Sequence, residues 1–216
     1  MLQIYQPMST RAVLTGDIIN SRQIQNKDHL INVLHSIFYE IESRFSPENP
    51  FEIFRGDSFQ VLFKKPTSSL RVALLIKSGL MSQSNENQMY DARISIGIGS
   101  VAFPQNNVKI ANGIAFELSG MNLDLMKEKG RGIAINSSQS KNNSTLETMN
   151  VLLDALLSKW TKNAAEVVYL SLLFGFTQSE IAEKLHISQS AVQQRLASAQ
   201  YDAIYTYIRY FENLKW

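Results

Sequence analysis

The sequence predicts an α+β chain: a ferredoxin-like domain of order β-α-β-β-α-β-α-β, followed by an all-α domain with a helix-turn-helix and a long C-terminal helix. Three observations carry this. Short apolar runs with strand character alternate with segments whose apolar residues recur every three or four positions. A stretch with almost no apolar side chain, SSQSKNNST at 137–145, then reads as a linker. Beyond it the periodicity is helical throughout. The expected boundaries are 1–136 for the α+β domain, 137–145 for the linker and 146–216 for the helical domain.

The first strand is RAVLTGDII, 11–19, which runs out into polar Asn20, Ser21 and Arg22. Asp28 can cap the helix that follows, with Leu30, Val33, Leu34, Ile37, Phe38 and Ile41 on its inner face and SPENP as its stop. Residues 51–63, FEIFRGDSFQVLF, read as a hairpin turned at Gly56-Asp57. Pro66-Thr67 opens a second helix with Leu70, Ala73, Leu74 and Ile76 inward, and ARISIGIGSVAF supplies the next strand. A third helix runs from about Ile110 to Lys129, Gly130 ends it, and GRGIAIN is the last strand.

In the helical part, Leu170, Leu173 and Phe174 close one helix before Gly175. Thr177 caps the next, with Ile181, Ala182 and Leu185 inward, and His186-Ile187 makes a turn. Ser188 then caps a helix whose buried stripe is Val192, Leu196 and Ala199. Ile204, Tyr207, Ile208 and Phe211 extend an apolar stripe past this motif, which seeks either the N-terminal domain or a second subunit.

Composition removes several function classes. With 216 residues the chain can bury a core without staples, and its zero cysteines exclude disulfides, thiolate metal sites and a cysteine nucleophile. No apolar run approaches the roughly 18 residues of a membrane span, and MLQIYQPMSTR lacks the order of a signal peptide, so the expected location is cytoplasmic with no membrane partner. Residues 1–145 hold 15 Lys and Arg against 12 Asp and Glu; residues 146–216 hold 6 against 7, so the helical part is not a basic domain.

Asp17 and Asp57 each follow a glycine. In a ferredoxin-like sheet the first strand pairs with the strand after the hairpin, which brings both aspartates to one edge. Two converging carboxylates suit a hard divalent cation that arrives with a polyphosphate. The turn after Asp17, through Asn20, Ser21 and Arg22, offers backbone amides to phosphate oxygens. Arg55 and Arg93 flank strands and can reach the same edge, whereas Lys127, Lys129 and Arg131 sit at a helix C-terminus where cations favour the dipole. His29, His35 and His186 show no ligand spacing, and Ser58 and Ser119 have no nearby histidine.

Four segments in order, TGDIINSR, FRGDSFQVLF, RISIGIGSV and GIAFELSG, resemble the signature segments of the class III nucleotide cyclase and diguanylate cyclase superfamily. The whole chain resembles the SatD family, bacterial proteins in which such a domain precedes a helix-turn-helix. The resemblance implies a metal site of Asp17, the Ile18 carbonyl and Asp57, holding Mg2+ or Mn2+ with a nucleotide, and phosphate contacts from Asn20, Ser21, Arg22 and Gly56. It also shows departures. Cyclases of class III carry an asparagine and an arginine on the helix after the IGIG strand, and neither stands at the matching place in GIAFELSGMNLDLMKEKG. The diguanylate cyclase hairpin has lost its second acid to Ser58. These losses point away from turnover, because one missing transition-state donor costs about 10² to 10³ in rate.

TKNAAEVVYLSLLFGFTQSEIAEKLHISQSAVQQRLASA resembles the helix-turn-helix of sigma factor region four and LuxR-type regulators. That resemblance implies DNA contacts from Gln189, Ser190, Gln193 and Gln194, with Arg195 near phosphate. The expected function is therefore a bacterial regulator that binds DNA and holds a metal-nucleotide, as a homodimer. The alternatives are a Mg2+-dependent enzyme acting on a nucleoside triphosphate and a non-catalytic interaction scaffold.

Overall fold

Strand β1 (Thr10–Ile18) forms the centre of one five-stranded sheet of order β2-β3-β1-β4-β5. The computed structural model describes residues 10–85, 88–102 and 111–216. Ala12, Leu14 and Ile18 point to one face of β1 and join the main core; Val13 points to the other, with Leu62, Val101 and Ala115. This period of two is the strand signature that TRAVLTGDI carries.

Helix α1 (Lys27–Phe45) is capped by Asn26, whose side chain accepts from the His29 amide, one position pair earlier than the expected Asp28. Its six expected inward residues, Leu30 to Ile41, are all buried. Strands β2 (Glu52–Phe54) and β3 (Ser58–Phe63) form the hairpin. The turn lies one residue earlier than Gly56-Asp57: Arg55 and Gly56 both adopt positive φ (54° and 78°), and the Asp57 amide closes onto the Phe54 carbonyl at 3.3 Å. A two-residue turn with both central φ positive matches the right-handed twist of the strands, and Arg55 tolerates it at an exposed tip.

Helix α2 (Ser69–Ser82) is buried along nearly its whole circumference, because the sheet covers one side and later helices cover the other. Strand β4 (Ala92–Ser100) pairs antiparallel with β1, and β5 (Ile133–Ser137) pairs parallel with β4. Helix α3 (Ile114–Lys129) connects them and begins behind Gly113; Ile110, where the sequence reading starts this helix, lies outside the described residues. Gly97 lets α3 lie against β4, since a side-chain carbon there would run into the Ala115 carbonyl and lie 2.5 Å from the Ser119 amide nitrogen.

The expected linker is instead the start of α4 (Ser140–Leu157). Its polar residues answer one another: the Asn143 amide donates to the Ser137 carbonyl at 2.7 Å and accepts from the Ser137 amide at 2.9 Å, closing the end of β5. Leu146, fully buried, anchors the helix. Helices α5 (Lys162–Phe174), α6 (Gln178–Leu185) and α7 (Gln189–Ser198) follow as expected, with a capping box from Thr177 and Glu180 and an N-cap from Ser188. The expected long C-terminal helix is broken. Gln200 takes a left-handed conformation (φ 54°), the Trp160 indole donates to the Ala199 carbonyl at 3.0 Å, and α8 (Tyr201–Glu212) restarts in a new direction.

That change of direction settles where the apolar stripe goes. Ile204, Tyr207, Ile208 and Phe211 are buried in the same core that holds Leu34, Ile76 and Ile96. The Tyr207 hydroxyl donates to Asn150 on α4 at 3.0 Å, and Arg71 on α2 pairs with Glu212 at 2.8 Å. The chain is one domain rather than two joined by a linker: the main core runs from the sheet through α5 to α8, while α6 and α7 close a smaller cluster of Ile181, Ala182 and Val192 on Val167 and Leu170 of α5.

Candidate functional site

The end of β1 gathers the residues that the sequence singles out. Asp17 pairs in register with Ser58 on one side and Arg93 on the other, and the Ile18 amide donates to the Asp57 carbonyl at 2.9 Å. Antiparallel pairing therefore brings the two Gly-Asp segments together, as expected from topology. The chain then leaves the sheet through Asn20, which is exposed and left-handed, into a single 3-10 turn at Ser21–Gln23. The Ser21 hydroxyl donates to Asp57 Oδ2 at 2.7 Å; Arg22 is exposed; Gly56 sits at the hairpin tip.

The Asp17 side chain is only 14% exposed. Its Oδ2 lies 3.5 Å from Lys127 Nζ and 3.8 Å from an Arg93 guanidinium nitrogen, while Oδ1 is buried without a hydrogen-bond partner. Burial raises its carboxyl above the usual 3.8; Lys127 and Arg93 pull it down, and the nearby Asp57 charge pushes it up. Arg93 thus does reach this edge. Lys127, a helix-end cation by sequence, is directed at Asp17 from a half-exposed position one turn beyond buried Leu123.

A layer of uncharged polar groups continues from this site under α3. The Ser119 hydroxyl donates to Thr15 Oγ1 at 2.6 Å, the Gln60 amide donates to the same atom at 2.9 Å, and Asn136 donates to Asn122 Oδ1 at 2.7 Å. Their signal in the sequence is weak: single polar residues spread over β1, β3, α3 and β5 look like surface. Lys77, on the buried helix α2, is a second unpredicted feature. It donates to Asp91 at 2.6 Å beside a cavity of about 280 Å3 that Arg93, Arg131, Gly130, Gly132 and Asp154 also line. A lysine inside the apolar run LLIKSGL is the one sequence clue to it.

The protein side chains alone do not complete a site for a divalent cation. Such an ion wants about six oxygen ligands at close range. Among the described residues no three His, Cys, Asp or Glu side chains stand close enough to hold one. Asp17 Oδ2 already faces two protein cations, Asp17 Oδ1 is turned inward, and Asp57 accepts from Ser21 and, at 3.4 Å, from Ser58.

On α7, Gln189, Ser190, Gln193 and Gln194 are exposed, while Val192 is buried and fixes which side faces out. Arg195 is half-buried and paired with Glu166 of α5 at 3.6 Å. A larger cavity, about 720 Å3, lies between α5 and α8 and away from the aspartates. Its Arg71 is engaged by Glu212 and by the Tyr205 ring 5.4 Å away, so it offers a ligand little free charge. No helix among the described residues is long and apolar enough to cross a membrane.

The chain matches the family model described as the SatD family over residues 12–213. No curated protein matches it. Among solved structures, the active GGEEF domain of a diguanylate cyclase from Vibrio cholerae aligns at 15% identity and a TM-score of 0.43, covering 61% of this chain and 84% of that one. A bacterial light-regulated adenylyl cyclase aligns at 18% identity and a TM-score of 0.43, covering 58% of this chain and 41% of that one.

Proposed function

The chain belongs to the SatD family, and for this member we propose a regulatory function: the sheet-end site holds a nucleotide by its phosphates without turning it over, and α7 meets DNA. One observation carries the ligand half. Two Gly-Asp segments distant in sequence converge beside a left-handed turn, and two cations point into the same place. Absence of turnover is supported by what α3 presents: the Ser119 hydroxyl is bonded to Thr15, the Asn122 amide nitrogen is buried, and α3 itself carries no arginine. A phosphoryl transition state would lack the asparagine and arginine donors that class III cyclases place on this helix.

The DNA half rests on the exposed set Gln189, Ser190, Gln193 and Gln194 near the N-terminus of α7, where a recognition helix meets base edges. Glutamine suits adenine by pairing bidentately. Because Arg195 is engaged by Glu166 and the surrounding charge is balanced, such binding would involve few phosphates and depend weakly on salt.

The tests are direct. Nucleotides at about 100 times their dissociation constant stabilise the fold by about 2.7 kcal/mol, which a melting curve reads as a clear shift; no shift with any nucleotide removes the ligand half. Product analysis after incubation with ATP or GTP should find the substrate intact, and a cyclised or condensed product would establish an enzyme instead. Selection from random duplexes should enrich a site that Gln193→Ala with Gln194→Ala weakens, whereas an unenriched pool favours a scaffold.

A further inference from the structure

We infer that the sheet-end site takes its phosphate ligand directly on Lys127 and Arg93, in place of a divalent cation, with Asp17 as their counter-charge. This rests on the ligand reading above and says how that site carries charge.

The carboxylate is the first reason. Asp17 Oδ2 faces Lys127 Nζ at 3.5 Å and Arg93 at 3.8 Å, so an approaching divalent ion meets two positive groups before it meets a ligand. Asp17 Oδ1 has no exposed surface and no partner, and therefore presents no coordination position to an ion from solvent. At Asp57, Oδ2 is taken by the Ser21 hydroxyl at 2.7 Å and the backbone carbonyl by the Ile18 amide at 2.9 Å. Each aspartate therefore has one carboxylate oxygen withheld from an incoming ion.

The cations are the second reason. A charge-assisted hydrogen bond closes to about 2.7–2.9 Å. Both contacts to Asp17 are longer, as is the one from Lys127 to Asp124 at 3.7 Å. Lys127 has three donors and a side chain 48% exposed, and Arg93 has five, so most of these N–H groups remain available among the described residues. Phosphate oxygens are the complement of such a pair.

Room is the third. Arg93 also walls the cavity of about 280 Å3 that Gly130, Arg131, Gly132, Asp91 and Asp154 line; Asp91 is paired with Lys77, and one Asp154 oxygen accepts from the Gly132 and Ile133 amides. A ligand anchored between Lys127 and Arg93 can extend to the mouth of this cavity and meet Arg131, whose contact with Glu147 is loose at 3.8 Å. The fitting class is a polyphosphate or its ester, bound without metal.

The full chain is titrated with inorganic tripolyphosphate, and separately with ATP and GTP, in EDTA and again with Mg2+ or Mn2+. Tripolyphosphate should bind in EDTA, and Mg2+ or Mn2+, which complex the free polyphosphate, should leave the apparent affinity unchanged or weaken it. Lys127→Gln, at a half-exposed position, should weaken it about tenfold or more, the effect of one charge-assisted contact. Asp17→Asn should hold or raise the affinity, since it removes a competing negative charge; a metal ligand would behave oppositely. Binding that appears only with Mg2+ or Mn2+ and vanishes in Asp17→Asn overturns the inference and leaves the nucleotide reading standing. Nucleotide binding in EDTA without tripolyphosphate binding does the same. No binding of either probe under either condition overturns both.

Discussion

Asp17 and Asp154 are the two carboxyls that burial lifts above their usual 3.8, and their surroundings differ in an informative way. Burial is opposed at Asp17 by side-chain cations and at Asp154 chiefly by the Ile133 and Gly132 amides, which donate to its Oδ1 at 3.1 Å each. Asp154 Oδ2 is left without a partner. A raised folded value means that the native state binds more protons than the unfolded chain just above pH 3.8, so stability falls as pH climbs through that window. Asp154→Asn keeps the accepting oxygen for both amides and removes the titration; the slope of melting temperature against pH between about 4 and 6 should flatten. Lys77 makes a stronger demand. Its side chain is 4% exposed, and Asp91 is its carboxylate partner at 2.6 Å. Asp91→Ala leaves the buried ammonium with the Ala92 carbonyl at 3.2 Å and the Asp154 charge nearby but no direct carboxylate partner, and should cost about 3 kcal/mol in urea unfolding, whereas Lys77→Met with Asp91→Leu should recover most of it.

Helix α3 shows how an element can be held by both shape and polarity. Gly97 and Ala115 let it approach the sheet, and the Thr15, Ser119, Asn122 and Asn136 hydrogen bonds fill the interface that apolar residues usually fill. Gly97→Ala should displace α3 and destabilise by about 1–3 kcal/mol, with the larger loss in ligand affinity because Lys127 rides on the same helix. If Gly97→Ala melts like the parent, the close contact carries no weight. Most helices were legible: α1, α2, α5, α6 and α7 follow apolar spacing that needs no tertiary context. The elements that were not legible share a cause. The start of α4 is polar because its side chains close the end of β5, and the break before α8 falls at Gln200, where no glycine or proline marks it. In both places the deciding partner, Ser137 or Trp160, is supplied by packing.

The molecule as a whole unfolds as one unit if its core is as continuous as the burial shows. Leu14, Leu34 and Ile96 share a cluster with Val168, Ile204 and Phe211, and the Arg71–Glu212 pair ties α2 to α8 near the C-terminus. Calorimetry should give a single transition, and a fragment ending at residue 139 should fail to fold because it exposes the outer face of α2. Two separate transitions would restore the two-domain view. Because α5 belongs to the main core, ligand binding at the sheet end should stabilise it too, so that nucleotide should protect α5 amides from exchange as well as those of β1.

Periodicity and topology were enough to read the succession of strands and helices, the hairpin and the meeting of Asp17 with Asp57, because alternation and antiparallel pairing are local rules that any such sheet obeys. The same residues were not enough to say what occupies Asp17. That depended on Lys127 and Arg93, which arrive from a helix and a neighbouring strand, and on the burial of one carboxylate oxygen. Charge partners across a fold are set by packing, and no spacing in the chain encodes a distance of 3.5 Å between residues so far apart in sequence.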